Sequence, residues 1–206
     1  MDALRISPKY TSDDWRGLNR NSSDDWSKAA RIVWDRLDGR FLSFASNCLK
    51  QEFSGFVVLA IDCLLVETIQ QFKEGITNGR DQSGKMVKRF LCGKQFQPYF
   101  NEKARKSFYE DIRCGLLHQA EAKKKWLVRR NQRCLLQPIA GGEGYIIDVQ
   151  RFHDGVRSSL KEYLDSITDP ASSDLREKLW VKMNDICNVR EARGALYEAA
   201  EGLGAK

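Results

Sequence analysis

Apolar residues recur three and four positions apart through most of the chain, the periodicity of helices with one buried face. Trp26, Ala29, Ala30, Val33, Leu37, Phe41, Phe44 and Leu49 predict a first long helix from about 25 to 50, opened by the start signal Ser22-Ser23-Asp24-Asp25. Gly39 interrupts it and is the expected break. Phe53, Phe56, Val57, Leu59, Ala60, Ile61, Leu64, Leu65, Ile69 and Phe72 predict a second helix from about 53 to 74, ended by Gly75. Its first half has almost no polar face, which marks a buried core element. Asp62 and Glu67 therefore stand out, because a buried carboxylate needs a partner. A surface edge, a salt bridge to a neighbouring helix and a supporting role at a functional site all fit them.

Gly79 to Lys85 reads as a loop, and Val87 to Phe100 as a short helical or irregular connector. Phe108, Ile112 and Leu116, widened by Tyr109 and Leu117, predict an amphipathic helix over about 102–123. On its other side Asp111, Cys114, His118 and Glu121 follow at i, i+3, i+7 and i+10, which places them along one stripe. The pattern then changes to short apolar runs, Trp126 to Arg130, Cys134 to Ile139 and Gly144 to Asp148, split by turn residues. With Ala140-Gly141-Gly142-Glu143-Gly144 as a hairpin signal, they predict a small two- or three-stranded β insertion at about 125–148. Helical spacing returns over about 148–167, stopped by Asp169-Pro170, then over about 173–187, and in a short terminal helix from Val189 to Gly202. The expected fold is mainly α, a helical bundle with a small β-hairpin insertion. Residues 1–23 read as a flexible N-terminal arm anchored by Trp15, and 24–206 as a single helical domain.

With 42% hydrophobic residues in 206, the chain can bury a sizeable core, and its net charge of +6 tilts the partners toward polyanions. That charge is focused. From Glu121 to Arg133 there are six basic residues, Lys123, Lys124, Lys125, Arg129, Arg130 and Arg133, against one acidic residue. A solvated face explains many such runs, but its position beside Arg113 and His118 points to phosphate binding. The six cysteines include no CxxC pair and are expected to be reduced, in a cytoplasmic setting. The N-terminus lacks an apolar signal core, and the run Phe56 to Val66 holds Asp62 and is too short for a bilayer, so no membrane partner is expected.

The candidate chemistry centres on Arg113 and His118. An imidazole can act as base or acid near neutral pH, and a guanidinium can clamp a phosphate in a fork. RNA cleavage by its own 2′-OH needs these functions: a base, an acid and a cation on the phosphorus. One His per chain offers one proton shuttle, and a two-fold interface would offer two. Asp111 or Glu121 could orient the imidazole. A purely structural reading also stands, with His118 hydrogen-bonded to Asp111, Cys114 or Glu121 and Arg113 in an intrachain salt bridge. Cys114 and His118 could pair or ligate a metal, but only Asp111 lies in register with them, so no metal or other cofactor is expected. His153, the other histidine, reads as a surface helix residue.

The run Tyr109-Glu110-Asp111-Ile112-Arg113-Cys114-Gly115-Leu116-Leu117-His118, preceded by an apolar helix bearing Asp62 and Glu67, resembles the R-x4–6-H signature of the HEPN superfamily. The resemblance covers about residues 25–123 plus the helix at 148–167. It implies a helical bundle that dimerises through its motif helices and cleaves RNA without a metal, as toxins and defence proteins of the family do. Arg113 and His118 would then be catalytic, and an antitoxin or other protein would be a further partner. Where many members carry Asn, Asp or His after the Arg, this chain has Cys114. Some members are non-catalytic scaffolds, so the competing expectation is a helical module that binds RNA or a protein without cutting.

Overall fold

The computed structural model describes residues 3–123, 126–141 and 144–203, with side-chain surroundings through residue 188. It is mainly helical, with seven helices and a three-stranded mixed sheet among these residues. Helix α1 spans Ser12–Arg16. Helix α2 is continuous: α-helical over Ser23–Leu37, π-helical over Asp38–Leu42 and α-helical again over Ser43–Cys48. Helix α3 is Gly55–Glu74 and α4 is Ser83–Phe90. Helix α5 repeats the design of α2, with α-helical Glu102–Ser107, π-helical Phe108–Arg113 and α-helical Cys114–Gln119. After strands β1 (Trp126–Arg129), β2 (Leu136–Pro138) and β3 (Tyr145–Asp148) come α6 (Val149–Thr168) and α7 (Ser173–Leu203).

Chain contacts group these elements into two compact units where one helical domain was expected. The first comprises Met1–Arg40, Phe72–Asn78 and Leu164–Lys206. Its N-terminal segment is not a loose arm. Ile6 and Trp15 are fully buried, Ser7 Oγ and Lys9 N donate to Asp35 Oδ2 at 2.6 and 2.9 Å, and Trp15 Nε1 donates to Asn184 Oδ1 at 2.9 Å. Trp180 packs on Trp15 and Trp26, with ring centroids 4.9 and 5.7 Å apart. Gly39 is no break. A Cβ there would stand 2.8 Å from Pro8 Cγ, so its bare backbone makes room for the proline while the π turn carries the helix on. The expected interruption near 188 is also missing, because α7 runs through it as one helix.

The second unit, Phe41–Gln71 with Gly79–Tyr163, holds all of the candidate chemistry. Its core is aromatic. Phe108 stacks on Phe152 at 5.1 Å, Phe96 meets Phe152 at 5.2 Å, and Trp126 lies edge-on to Phe108 at 6.0 Å. The sheet order is β1-β3-β2. β2 and β3 form the expected antiparallel hairpin, closed by Ile139 N donating to Gly144 O at 3.1 Å. β1 adds to β3 in parallel, so the insertion is more than a hairpin. Part of the hairpin turn, Gly142 and Glu143, lies outside the described residues.

Helix α3 departs from the expectation of an all-buried core element. Phe53 precedes it and is 95% exposed, and Phe56, Val57 and Leu64 on it are also exposed. At 20 residues and mean hydropathy 1.5 the helix is long and apolar enough to cross a bilayer, which the shorter apolar run alone did not suggest. Half of that stretch is buried within the protein, and Asp62 and Glu67 within it are paired to neighbouring helices, as in a core helix of a folded domain. All six cysteines are free.

Candidate functional site

The motif helix α5 is started by Asn101, whose side chain accepts from Ala104 N at 2.8 Å. Its π turn places Asp111 inward, 2% exposed, rather than on the surface stripe expected for it. Asp111 Oδ2 accepts from Ser107 Oγ at 2.7 Å, and Ser107 Oγ accepts from Trp126 Nε1 at 2.9 Å. This relay fixes the π turn against β1, and it gives Asp111 a structural task.

Arg113 meets Glu67 of α3 in a two-point fork, Nε to Oε1 at 2.6 Å and Nη2 to Oε2 at 3.3 Å. Both side chains are largely buried, 18% and 13% exposed. Burial pulls the guanidinium pKa down, and the Glu67 carboxylate, with a hydrogen bond that Arg113 donates toward the Cys114 sulfur, more than offsets this, leaving it above its ordinary value. The Tyr109 ring lies 5.8 Å from the guanidinium carbon. Of the meanings open to Glu67, the salt bridge to a neighbouring helix is the one realised. Two of five guanidinium donors are thereby engaged.

His118 sits in the last turn of α5 and is exposed, and its imidazole takes no hydrogen bond or ion pair among the described residues. Cys114 is half-buried beside Arg113. The chain then reverses. Ala120 adopts φ +54°, and the following residues fold back so closely that a Cβ on Gly115 would stand 2.4 Å from Glu121 O and 3.2 Å from Lys123 Cγ. Lys123 N donates to Asp111 O at 2.8 Å. The helix therefore ends at Gln119, short of the expected 123, and Glu121 leaves the stripe. Its exposed carboxylate accepts from Ala122 N. Lys123 instead lies folded back against Gly115 of α5.

The basic segment splits into different roles. Lys124 and Lys125 lie outside the described residues. Arg129 and Arg133 are exposed. Arg130, expected to attract phosphate, is committed inside the protein: it donates to Leu49 O at 2.9 Å, to Gln51 O at 2.6 Å and to Ser54 Oγ, and so pins the turn between α2 and α3. Among the described residues no group of three or more His, Cys, Asp or Glu could hold a metal.

Asp62, also on α3, has a different partner. His153 Nδ1 lies 2.8 Å from Asp62 Oδ1 and His153 Nε2 lies 2.8 Å from Ser46 Oγ, with His153 1% exposed and Asp62 fully buried. The surface position expected for His153 is wrong. Burial raises the Asp62 pKa and the His153 bond offsets part of the rise, while Asp62 Oδ2 is buried with no hydrogen-bond partner among the described residues. With Asp62 ionised, Nδ1–H donates to it and Nε2 accepts the Ser46 hydroxyl. The row ties α2, α3 and α6 together. A sequence signal for it existed: His153 is the fourth residue after Val149 and the third before Val156, within the apolar face of α6.

No protein-family model, curated protein or solved structure matches the chain.

Proposed function

We propose that the protein is a HEPN-like, metal-independent endoribonuclease in which Arg113 binds the scissile phosphate and His118 transfers the proton. The observation that carries this reading is the division of labour on α5. Arg113 is held in a fixed fork by Glu67 with donors to spare, and His118, a little over a turn further on, has its imidazole in solvent. A preoriented guanidinium lowers the cost of meeting developing charge, and a solvated imidazole is free to exchange protons with substrate. Lys123, folded back on Gly115, adds a cation to the same end of the helix.

Exposed apolar side chains fit pairing of two copies, which the same reading requires. Val57 and Leu64 on α3 and Leu117 on α5 are 53%, 43% and 48% exposed, apolar side chains in water that a second copy would cover. It would also bring a second Arg113 and His118 to the site. An antitoxin or other protein partner would compete for that surface.

One observation favours the alternative of an RNA-binding module that does not cut. Arg113 is already neutralised by Glu67, and Cys114 stands where many family members carry a stronger hydrogen-bonding group. A cleavage assay separates the two. RNA incubated with the protein and a chelator should yield 2′,3′-cyclic phosphate ends, and His118→Ala should abolish them. Equal binding by wild type and His118→Ala, with no cutting by either, would leave the binding module.

A further inference from the structure

Beside the N-terminal end of α3 a cavity of about 380 Å³ opens among Phe53, Gly55, Phe56, Val128, Arg129 and Val149, within the range typical of ligand sites. We propose that this groove holds an unstacked base of a single-stranded RNA whose reacting phosphate lies at Arg113, an inference that rests on the RNA reading above. Phe53 is the reason to look for a ligand. Its ring is 95% exposed and stabilises nothing in the core, and its backbone stands at φ +59°, a conformation that L residues with bulky side chains rarely adopt. The turn that presents it is held by Arg130, which donates to Leu49 O, Gln51 O and Ser54 Oγ. The exposed ring is thus carried on a fixed loop, as a stacking platform requires.

The floor is apolar and the rim is cationic. A Cβ on Gly55 would stand 3.1 Å from Val128 Cγ1 and 3.8 Å from Val149 Cγ1, so the bare backbone lets both valines pack against the start of α3 and form an apolar floor. Arg129 is exposed and spends one Nη1 contact on Val128 O at 3.1 Å, leaving donors for a backbone phosphate. This pairing of an aromatic face with a guanidinium suits a nucleotide better than an aliphatic peptide segment, which has no charge for Arg129 to meet. The placement fits a strand. Phe56 and Glu67 are eleven residues apart on α3, about 16 Å along its axis and within about 20° around it. The groove and the Glu67–Arg113 fork therefore lie along one side of one helix.

The test uses the full chain carrying His118→Ala, so that RNA stays intact, and a fluorescein-labelled oligouridine of about 12 nucleotides, within the span such sites track. Phe53→Ala should weaken binding on the order of tenfold or more, the loss of one stacked base. Arg129→Ala should weaken it and reduce the slope of log affinity against log salt by about one. Phe44→Ala, on α2 outside the groove, should change neither. Unchanged affinity in Phe53→Ala overturns the groove even where wild type cuts RNA. Affinity lost in Phe53→Ala while wild type cuts nothing supports the groove and overturns the nuclease instead. A chain that does not bind the oligouridine overturns the groove, whatever the cleavage assay shows.

Discussion

His153 and Asp62 stand 91 positions apart in sequence and 2.8 Å apart in space, Nδ1 to Oδ1, with almost no surface exposed on either. Removing the carboxylate leaves a buried imidazole N–H without an acceptor. Asp62→Ala should therefore lower stability by about 3 kcal/mol, and Asp62→Asn by less, because the amide oxygen still accepts. Ser46→Ala should cost only about 1 kcal/mol, since Ser46 is half-exposed and water can replace it. Urea midpoints at constant m-value check the order.

On the proposed ribonuclease reading, the Glu67–Arg113 fork sets how cleavage should fail. Lysine offers a point charge without the planar fork, so Arg113→Lys should reduce the cleavage rate by about 10²- to 10³-fold, comparable to losing one oxyanion donor. Glu67→Gln keeps the shape but loosens the guanidinium, and should cost less in rate while lowering Tm. Equal cleavage by Arg113→Lys and wild type would remove Arg113 from the reaction.

Gly115 and Ala120 should respond in opposite directions. A Cβ at 115 would stand 2.4 Å from a backbone oxygen that cannot move alone, so Gly115→Ala should destabilise by about 1–3 kcal/mol. Ala120 occupies left-handed space at φ +54°, where glycine carries no steric penalty, so Ala120→Gly should raise stability by about 0.5–1 kcal/mol. Thermal melts of the two variants against wild type read both signs.

At the start of α1 the Asp14 carboxylate accepts from Thr11 N and from the Thr11 hydroxyl, each at 2.9 Å, and these bonds hold its pKa below the ordinary 3.8. A depressed folded-state pKa contributes stability that is present above the unfolded value and lost as pH falls through the folded one. Wild type should thus exceed Asp14→Asn in stability at neutral pH, and the gap should close in acid below pH 3.8. A gap that persists in acid would mean that the charge of Asp14 contributes nothing to capping.

Thiol accessibility gives a direct check on burial. Cys92 and Cys134 are exposed, whereas Cys63 and Cys187 are buried, and burial pushes both of their pKa values up. Ellman's reagent on the native protein should modify Cys92 and Cys134 first and reach Cys63 and Cys187 only on unfolding.

The sequence alone determined the helical class, the position of the β insertion and the helix carrying Arg113 and His118. These are local properties, since spacing along one chain sets which residues share a face and a cap such as Ser22 sets where a helix begins. It also showed that Asp62 and Glu67 need partners. Only the tertiary structure decided which ones, because pairing depends on the helix that happens to pack opposite: Glu67 met Arg113, and Asp62 met the histidine read as a surface residue. The same holds for Asp111, turned inward by a π turn that periodicity of 3.6 cannot register, and for Arg130, drawn to backbone carbonyls that carry no signature in the sequence. Phe53 shows the converse. Its hydrophobicity predicted burial, and the fold left it 95% exposed at the edge of a cavity, on a turn held by Arg130.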